Sequence, residues 1–372
     1  MGQGIDLLGG ITRILPEQPP PPIDLTHARA ALIIKLSSIG DVVHALPVAS
    51  ALKCAYPALR LTWAVEEWAA PLVIGHPCVD RVVVFPTLVR WPSKPFTWAR
   101  LLNTAMRELR SEQYDVAIDL QGLARSAIIS AFSRSSCRLA RAGQREGAHL
   151  VSFGVALPDS QLHAVDEYLC VARNLGAPDK AAVFSLPVSA DARQSVARML
   201  RSHEVSDRDR LIVVNPSAAR RWKQWPLERW VAVVDALGTA GTVVIVGAAA
   251  NARAHCEIRS RVSRPLVDFT GRTTLAELVA LIERASLHVA SDTGTIHIAV
   301  ALGTPVVGIY GPTSPLRVGP YQRADCAIHH REQCGASCPA YCVRQRRCLT
   351  AVTPGEVIAK AHEALAEAEA FA

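Results

Sequence analysis

Long apolar runs are missing from this chain. No stretch reaches the roughly 18 to 20 residues that cross a bilayer, and the N-terminus lacks a basic-then-apolar signal pattern, so a cytoplasmic protein without a transmembrane segment is expected. Lysine is scarce, at six of 40 cations, so arginine dominates a formal net charge of +7. Arginine's planar fork suits carboxylates and phosphates, although composition alone names no anionic partner. Aromatic residues make up only 5% of the chain, the arginines are scattered, and no aromatic-basic motif occurs, which argues against a nucleic-acid partner. No G-x-G-x-x-G follows the first strand and no Walker lysine loop exists, which excludes a nicotinamide dehydrogenase or a P-loop nucleotidase of the usual kind. The one Asp-x-Asp pair, Asp207 and Asp209, lies in a charged loop and reads as solvated rather than metal-binding. Cys334, Cys338, Cys342 and Cys348 are spaced x3, x3 and x5, with Cys326 upstream, and not in the x2 pairs that zinc ribbons favour. They read as a reduced, partly buried loop; no metal and no cofactor is expected.

What is present is ample apolar material, half of 372 residues, enough for two domains with separate cores. Residues 1–28 carry four consecutive prolines and little periodic pattern, and read as a loosely ordered leader. A strand over 31–36 runs into Ser37-Ser38-Ile39-Gly40-Asp41 and then a helix whose early part Pro47 is expected to disturb. Further strands are predicted over 61–65, 81–85 and 116–120, with helices over 98–109, 123–132 and 164–175. Alternation of this kind means a parallel sheet wrapped by helices. The second half repeats it with strands over 211–215, 243–247, 287–291 and 306–310, and a helix over 354–371 closes the chain. The expected division is an N-terminal domain over 29–180, a C-terminal domain over 181–353 and a final helix over 354–372.

Two strand-loop-helix corners carry the candidate chemistry. In Ser291-Asp292-Thr293-Gly294-Thr295-Ile296-His297, Asp292 and Thr293 are suited to cap a helix and Gly294 admits a ligand close to the backbone, which makes an anion site at a helix N-terminus. His297, one turn in, is placed to add a proton donor. The alternative is a capped helix with a packed histidine. At the first corner Asp41 is either a helix cap or a general base over an acceptor hydroxyl, and His44, one turn later, is a packed or capping residue. The loop NPSAARRWKQWP from Asn215 to Pro226 puts Arg220, Arg221 and Lys223 beyond a strand's carboxyl end, where cations suit a leaving diphosphate or simply face solvent.

Taken together, KLSSIGDVVHALP at 35–47, WAVEE at 63–67, DLQGLARSA at 119–127, RRWKQWP at 220–226 and SDTGTIHIAVALGTPVVGIYGPTSP at 291–315 resemble the ADP-heptose:lipopolysaccharide heptosyltransferases of glycosyltransferase family 9. Within that family they are most like the branch that places the first heptose on the Kdo of the inner core. The resemblance implies a GT-B architecture: α/β, two doubly wound Rossmann-like domains facing across a cleft, with the acceptor bound by the first and the nucleotide sugar by the second. It implies inverting transfer without a required metal, ADP-heptose as donor, and Kdo-lipid A as acceptor at the cytoplasmic face of the inner membrane. Asp41 would be the catalytic base. Lys223 would contact the donor phosphates, Ser217 would help, and Asp292, Thr293, Gly294 and His297 would hold the diphosphate and heptose. Ser38, Gly40, Arg90, Lys94 and Arg125 are the acceptor candidates. The chain departs from the family at Ala218 and Ala219, where hydroxyls are common, and at Ala248-Ala249-Ala250, where an acidic residue usually reaches the nucleotide. These departures keep open a transferase using another nucleotide sugar; a nucleotide-sugar-binding protein without turnover is the other rival.

Overall fold

A computed structural model describes residues 25–88, 95–159, 162–334 and 346–370. The expected leader lies almost wholly outside the described residues, as do Arg90, Lys94, Cys338 and Cys342. By its contacts the chain forms two compact units. The first comprises Met1–Ser37, Ala45–Ser160 and Val165–Val183; the second comprises Ser38–His44, Gln161–Ala164 and Phe184–Ala372. The short segment Ser38–His44, which opens the first helix of the described residues, therefore groups with the second unit.

The first unit is built on a six-stranded parallel sheet of β1 (Ala30–Ile34), β2 (Arg60–Glu66), β3 (Arg81–Phe85), β4 (Tyr114–Asp119), β5 (Ser135–Ala140) and β6 (Phe153–Gly154), in the order β3-β2-β1-β4-β5-β6. Strand β1 is buried along its whole length, as a central parallel strand covered on both faces must be. The crossovers carry α1 (Ile39–Ala55), α2 (Pro95–Leu109) and α3 (Ala124–Phe132), and α4 (Ala164–Asn174) follows the sheet. Helix α1 runs unbroken through Pro47. The proline removes one helical donor, but Val43, Ala45, Leu46, Val48, Ala49 and Leu52 around it are all fully buried, and that packing holds the helix where local propensity would not. On one face of the sheet, Ala105 and Leu109 of α2 and Ile129 of α3 join Leu32, Ile34, Val83 and Phe85 in a single cluster.

The second unit repeats the plan with β7 (Leu211–Asn215), β8 (Thr242–Ile245), β9 (Val267–Asp268), β10 (Leu287–Ser291), β11 (Val306–Ile309) and β12 (Ala327–Ile328), ordered β12-β11-β10-β7-β8-β9. Its helices are α5 (Ala190–Arg201), α6 (Leu227–Leu237), α7 (Ala252–Arg261), α8 (Leu275–Arg284), α9 (Gly294–Leu302), α10 (Pro315–Val318), α11 (Arg347–Ala351) and α12 (Pro354–Ala370). Val357, Ala361, Ala364 and Leu365 of α12 pack with Trp230, Val233 and Leu237 of α6 and Ile309 of β11, so the last helix belongs to this unit's core. In each sheet the strand order reverses at one place, between β1 and β4 in the first and between β10 and β7 in the second. Ligands of such sheets bind beyond the carboxyl ends of the strands flanking that reversal. The loops after β7 and β10 carry Lys223 and Asp292, and the loop after β1 leads to Asp41.

Candidate active site

Strand β10 is buried throughout and delivers Asp292 to the start of α9. Thr293 is the N-cap residue, with extended backbone, yet its side chain caps nothing. Asp292 does not cap either: its carboxylate lies 2.8 Å from the Lys223 ammonium. Asp292 is nearly buried and Lys223 about one-quarter exposed, so the pair fixes a cation beside an N-terminus that carries the positive end of a helix dipole. Of the three cations in the loop, Lys223 is the one paired with Asp292. Arg220 stacks over Trp222 and Arg221 is exposed. The loop itself is held by Arg346, which donates to the carbonyls of Arg221 and Gln224.

Beneath this corner runs a buried polar chain that the sequence reading missed. His288 donates from Nδ1 to the Val213 carbonyl at 3.1 Å, which leaves its Nε2 to accept from Thr295 Oγ1 at 2.9 Å. Thr295 in turn accepts from Asn215 Nδ2, whose Oδ1 receives the Ser217 N-H. Ser291 Oγ donates to the Pro216 carbonyl. Thus β10, α9 and the loop after β7 are tied together below the Lys223–Asp292 pair, and burial holds His288 neutral, with its pKa lowered to about 4. Ser217 Oγ lies 2.6 Å from His255 Nε2, and His255 Nδ1 lies 2.7 Å from Thr270 Oγ1. His255, in α7, is therefore the side chain that fixes the one hydroxyl left in this loop. Glu277, at the start of α8, completes a capping box with Thr274 and accepts from Ser195 Oγ at 2.7 Å.

The two corners meet. A Cβ added to Gly294 would stand 2.8 Å from Ile39 Cγ2 and 3.1 Å from Gly40 N, and one added to Gly40 would stand 2.5 Å from His297 Cδ2. Both glycines are needed for this approach, not for an unusual backbone angle. Asp41 is in the third helical position of α1 and accepts from Ser38 N at 3.2 Å and Ser38 Oγ at 2.7 Å, so the capping role is present whatever else the carboxylate does. His297, expected as a proton donor or as a packed histidine, is packed. It is buried, and its Nδ1 lies 2.9 Å from Nε2 of His44, expected as a packed or capping residue and itself buried. Burial lowers the His297 pKa to about 4, against the opposing pull of the Asp292 charge. Burial, reinforced by Asp292, also pushes the Tyr310 hydroxyl well up.

Arg125, offered above as an acceptor cation, is engaged within the first unit. It pairs with the fully buried Glu66 at 3.0 Å and donates to Ser37 Oγ at 2.7 Å. Glu66 also accepts from Trp68 Nε1 at 2.7 Å. Among the described residues, no group of three or more His, Cys, Asp or Glu is placed to hold a metal ion, and no helix is long and apolar enough to cross a membrane.

A family model described as glycosyltransferase family 9 (heptosyltransferase) matches residues 103–346. The chain is 29% identical over 314 residues to lipopolysaccharide heptosyltransferase 1 of Salmonella typhimurium, covering 81% of this chain and 94% of that protein. Among solved structures, a glycosyltransferase family 9 protein from Veillonella parvula superimposes with a TM-score of 0.79 at 24% identity, over 93% of this chain and 99% of that one. The Escherichia coli heptosyltransferase WaaC, in a complex with ADP-2-deoxy-2-fluoro heptose, superimposes with a TM-score of 0.59 at 26% identity, over 77% of this chain and 90% of that one. The two parallel, helix-wrapped sheets are those of the GT-B heptosyltransferase structures.

Proposed function

We propose that this chain, which belongs to glycosyltransferase family 9, moves heptose from ADP-heptose to the Kdo region of the lipopolysaccharide inner core with inversion at the anomeric carbon. The observation that carries the reading is the Lys223–Asp292 pair beside the uncapped start of α9, with the Asp41 loop packed against it through Gly40 and Gly294. Asp41 takes the proton of the acceptor hydroxyl as its oxygen attacks the anomeric carbon. The bond from that carbon to the diphosphate breaks, and ADP departs with its new charge facing Lys223 and the N-H groups of Thr293 and Gly294. Asp292 holds Lys223 in position, while Ser217, oriented by His255, and His297 supply neutral hydrogen bonds to the donor. Ser38 and Gly40 border the acceptor, with Arg90 and Lys94 the cations that would draw in its acidic sugars. Arg125 acts through Ser37 and Glu66. Names of relatives support the substrates: the Salmonella protein is a lipopolysaccharide heptosyltransferase 1, and WaaC was solved with an ADP-heptose analogue. An acceptor anchored in lipid calls for work at the cytoplasmic face of the inner membrane.

Alanines at 248–250 favour one narrower alternative, a donor other than ADP-heptose, because the residue that would select the nucleoside is missing there. Mass spectrometry of deacylated Kdo-lipid A incubated with ADP-heptose and with UDP- and GDP-sugars decides between them. A gain of one heptose from ADP-heptose alone is expected. Transfer from a UDP- or GDP-sugar in its place would sink the donor assignment, and binding of every donor with transfer of none would leave a binding protein.

A further inference from the structure

We propose that His44 is a positioning residue that decides which ring nitrogen of His297 carries the proton, and so whether His297 offers its ligand a donor or a lone pair. The two rings sit 4.1 Å apart, edge to face, with Nε2 of His44 and Nδ1 of His297 at hydrogen-bond distance, and both residues are more than nine-tenths buried. Between two imidazole nitrogens at 2.9 Å there is room for one proton, since two lone pairs or two N-H groups would repel. Burial keeps His297 neutral near pH 7, so two arrangements remain. In one, His44 donates and His297 holds its proton on Nε2; in the other the roles reverse. Nε2 of His297 is on the edge of the ring turned to Gly40, next to Asp41. The proposal rests on the donor reading above at one point: an anionic diphosphate or a sugar oxygen at that edge needs Nε2-H, which requires His44 as the donor to Nδ1. The pair is braced from a third side, because the His163 ring packs edge-on against His44 and is itself anchored by donating Nε2-H to the Gly319 carbonyl at 3.1 Å. His44 also lies three residues after Asp41, on the same face of α1, so one helical turn carries both the carboxylate and the group that sets the imidazole.

The test is the nitrogen-15 spectrum of histidine-labelled full-length protein, with His297 assigned by its loss in His297→Gln, recorded for the wild type, His44→Phe and His44→Gln. The expected result is His297 protonated on Nε2 in the wild type and in His44→Gln, whose amide can still donate, and a shift toward the Nδ1-protonated form in His44→Phe. Donor kcat/KM should fall roughly tenfold in His44→Phe, the scale of one neutral hydrogen bond, with the acceptor KM unmoved and most of the loss recovered in His44→Gln. A wild-type His297 protonated on Nδ1 overturns the proposal even if His44→Phe does not fold, and so does an unchanged spectrum in a folded His44→Phe. Absence of heptose transfer from all three proteins, with the spectra as expected, would overturn the substrate reading and leave the positioning intact.

Discussion

Two corners of this molecule share a backbone plan and differ in where their aspartate goes. After β4, Asp119 turns back on its own loop: it accepts from Gln121 N, Gly122 N and Ser126 Oγ, each at 2.9 Å. Burial raises its pKa, and those three bonds offset part of the cost. After β10, Asp292 pairs with Lys223, and the N-cap residue Thr293 makes no side-chain cap to α9. Both aspartates end or follow a central strand at a point where strand order reverses. The place where strand order reverses therefore does not by itself fix what an aspartate does there: at one corner it satisfies its own loop's N-H groups, and at the other it pairs with a neighbouring cation and leaves the N-H groups at the helix start without a side-chain cap, the arrangement on which the proposed diphosphate site rests.

That contrast can be broken or sharpened. The largest effect should come from Asp41→Asn, which keeps the cap to Ser38 but cannot take a proton: turnover should drop by roughly 10²-fold or more with ADP affinity nearly unchanged, as read by steady-state rates and calorimetry. Rates within a few-fold of wild type would reduce Asp41 to its observed cap. Asp119→Ala should do the opposite, lowering the stability of the first unit by about 2 to 4 kcal/mol in a denaturant titration while leaving ADP binding within about twofold. A loss of ADP affinity in that variant would erase the distinction between the corners.

Acid should affect the second unit through its buried histidines. His288 and His297 titrate near 4 when folded, chiefly because they are buried, against 6.5 as the ordinary value. The unfolded chain binds their protons first, so stability is full above about pH 6.5 and declines as pH falls toward 4, by a few kcal/mol for the two together. Thermal unfolding followed from pH 7 to 4 checks this, and a flat profile across that window for the second unit would contradict it.

The strands were legible because each central one is a short apolar run bounded by polar loops, and the corners because glycine and aspartate follow them directly. What could not be read depends on distance along the chain. His288 looks like one polar residue in an apolar strand until Val213 and Thr295 are brought to it. His44 and His297 are 253 residues apart. Arg125 looks like a surface cation, and only the fold supplies buried Glu66 as its partner. Lys223 stood out from Arg220 and Arg221 only through the family resemblance; the loop's own residues do not mark it, and the fold adds Asp292 as its partner. Pro47 misled for the complementary reason: a local rule was overridden by burial on every side.

Calorimetric titration of ADP into the wild type and Lys223→Ala, with unfolding of each measured alongside, bears most directly on the claim that the α9 corner is the diphosphate site. Binding by the wild type and at least tenfold weaker binding by a folded Lys223→Ala is the predicted result, because removal of the lysine takes away the cation and leaves Asp292 facing the phosphates. Equal affinity in the two folded proteins would contradict it.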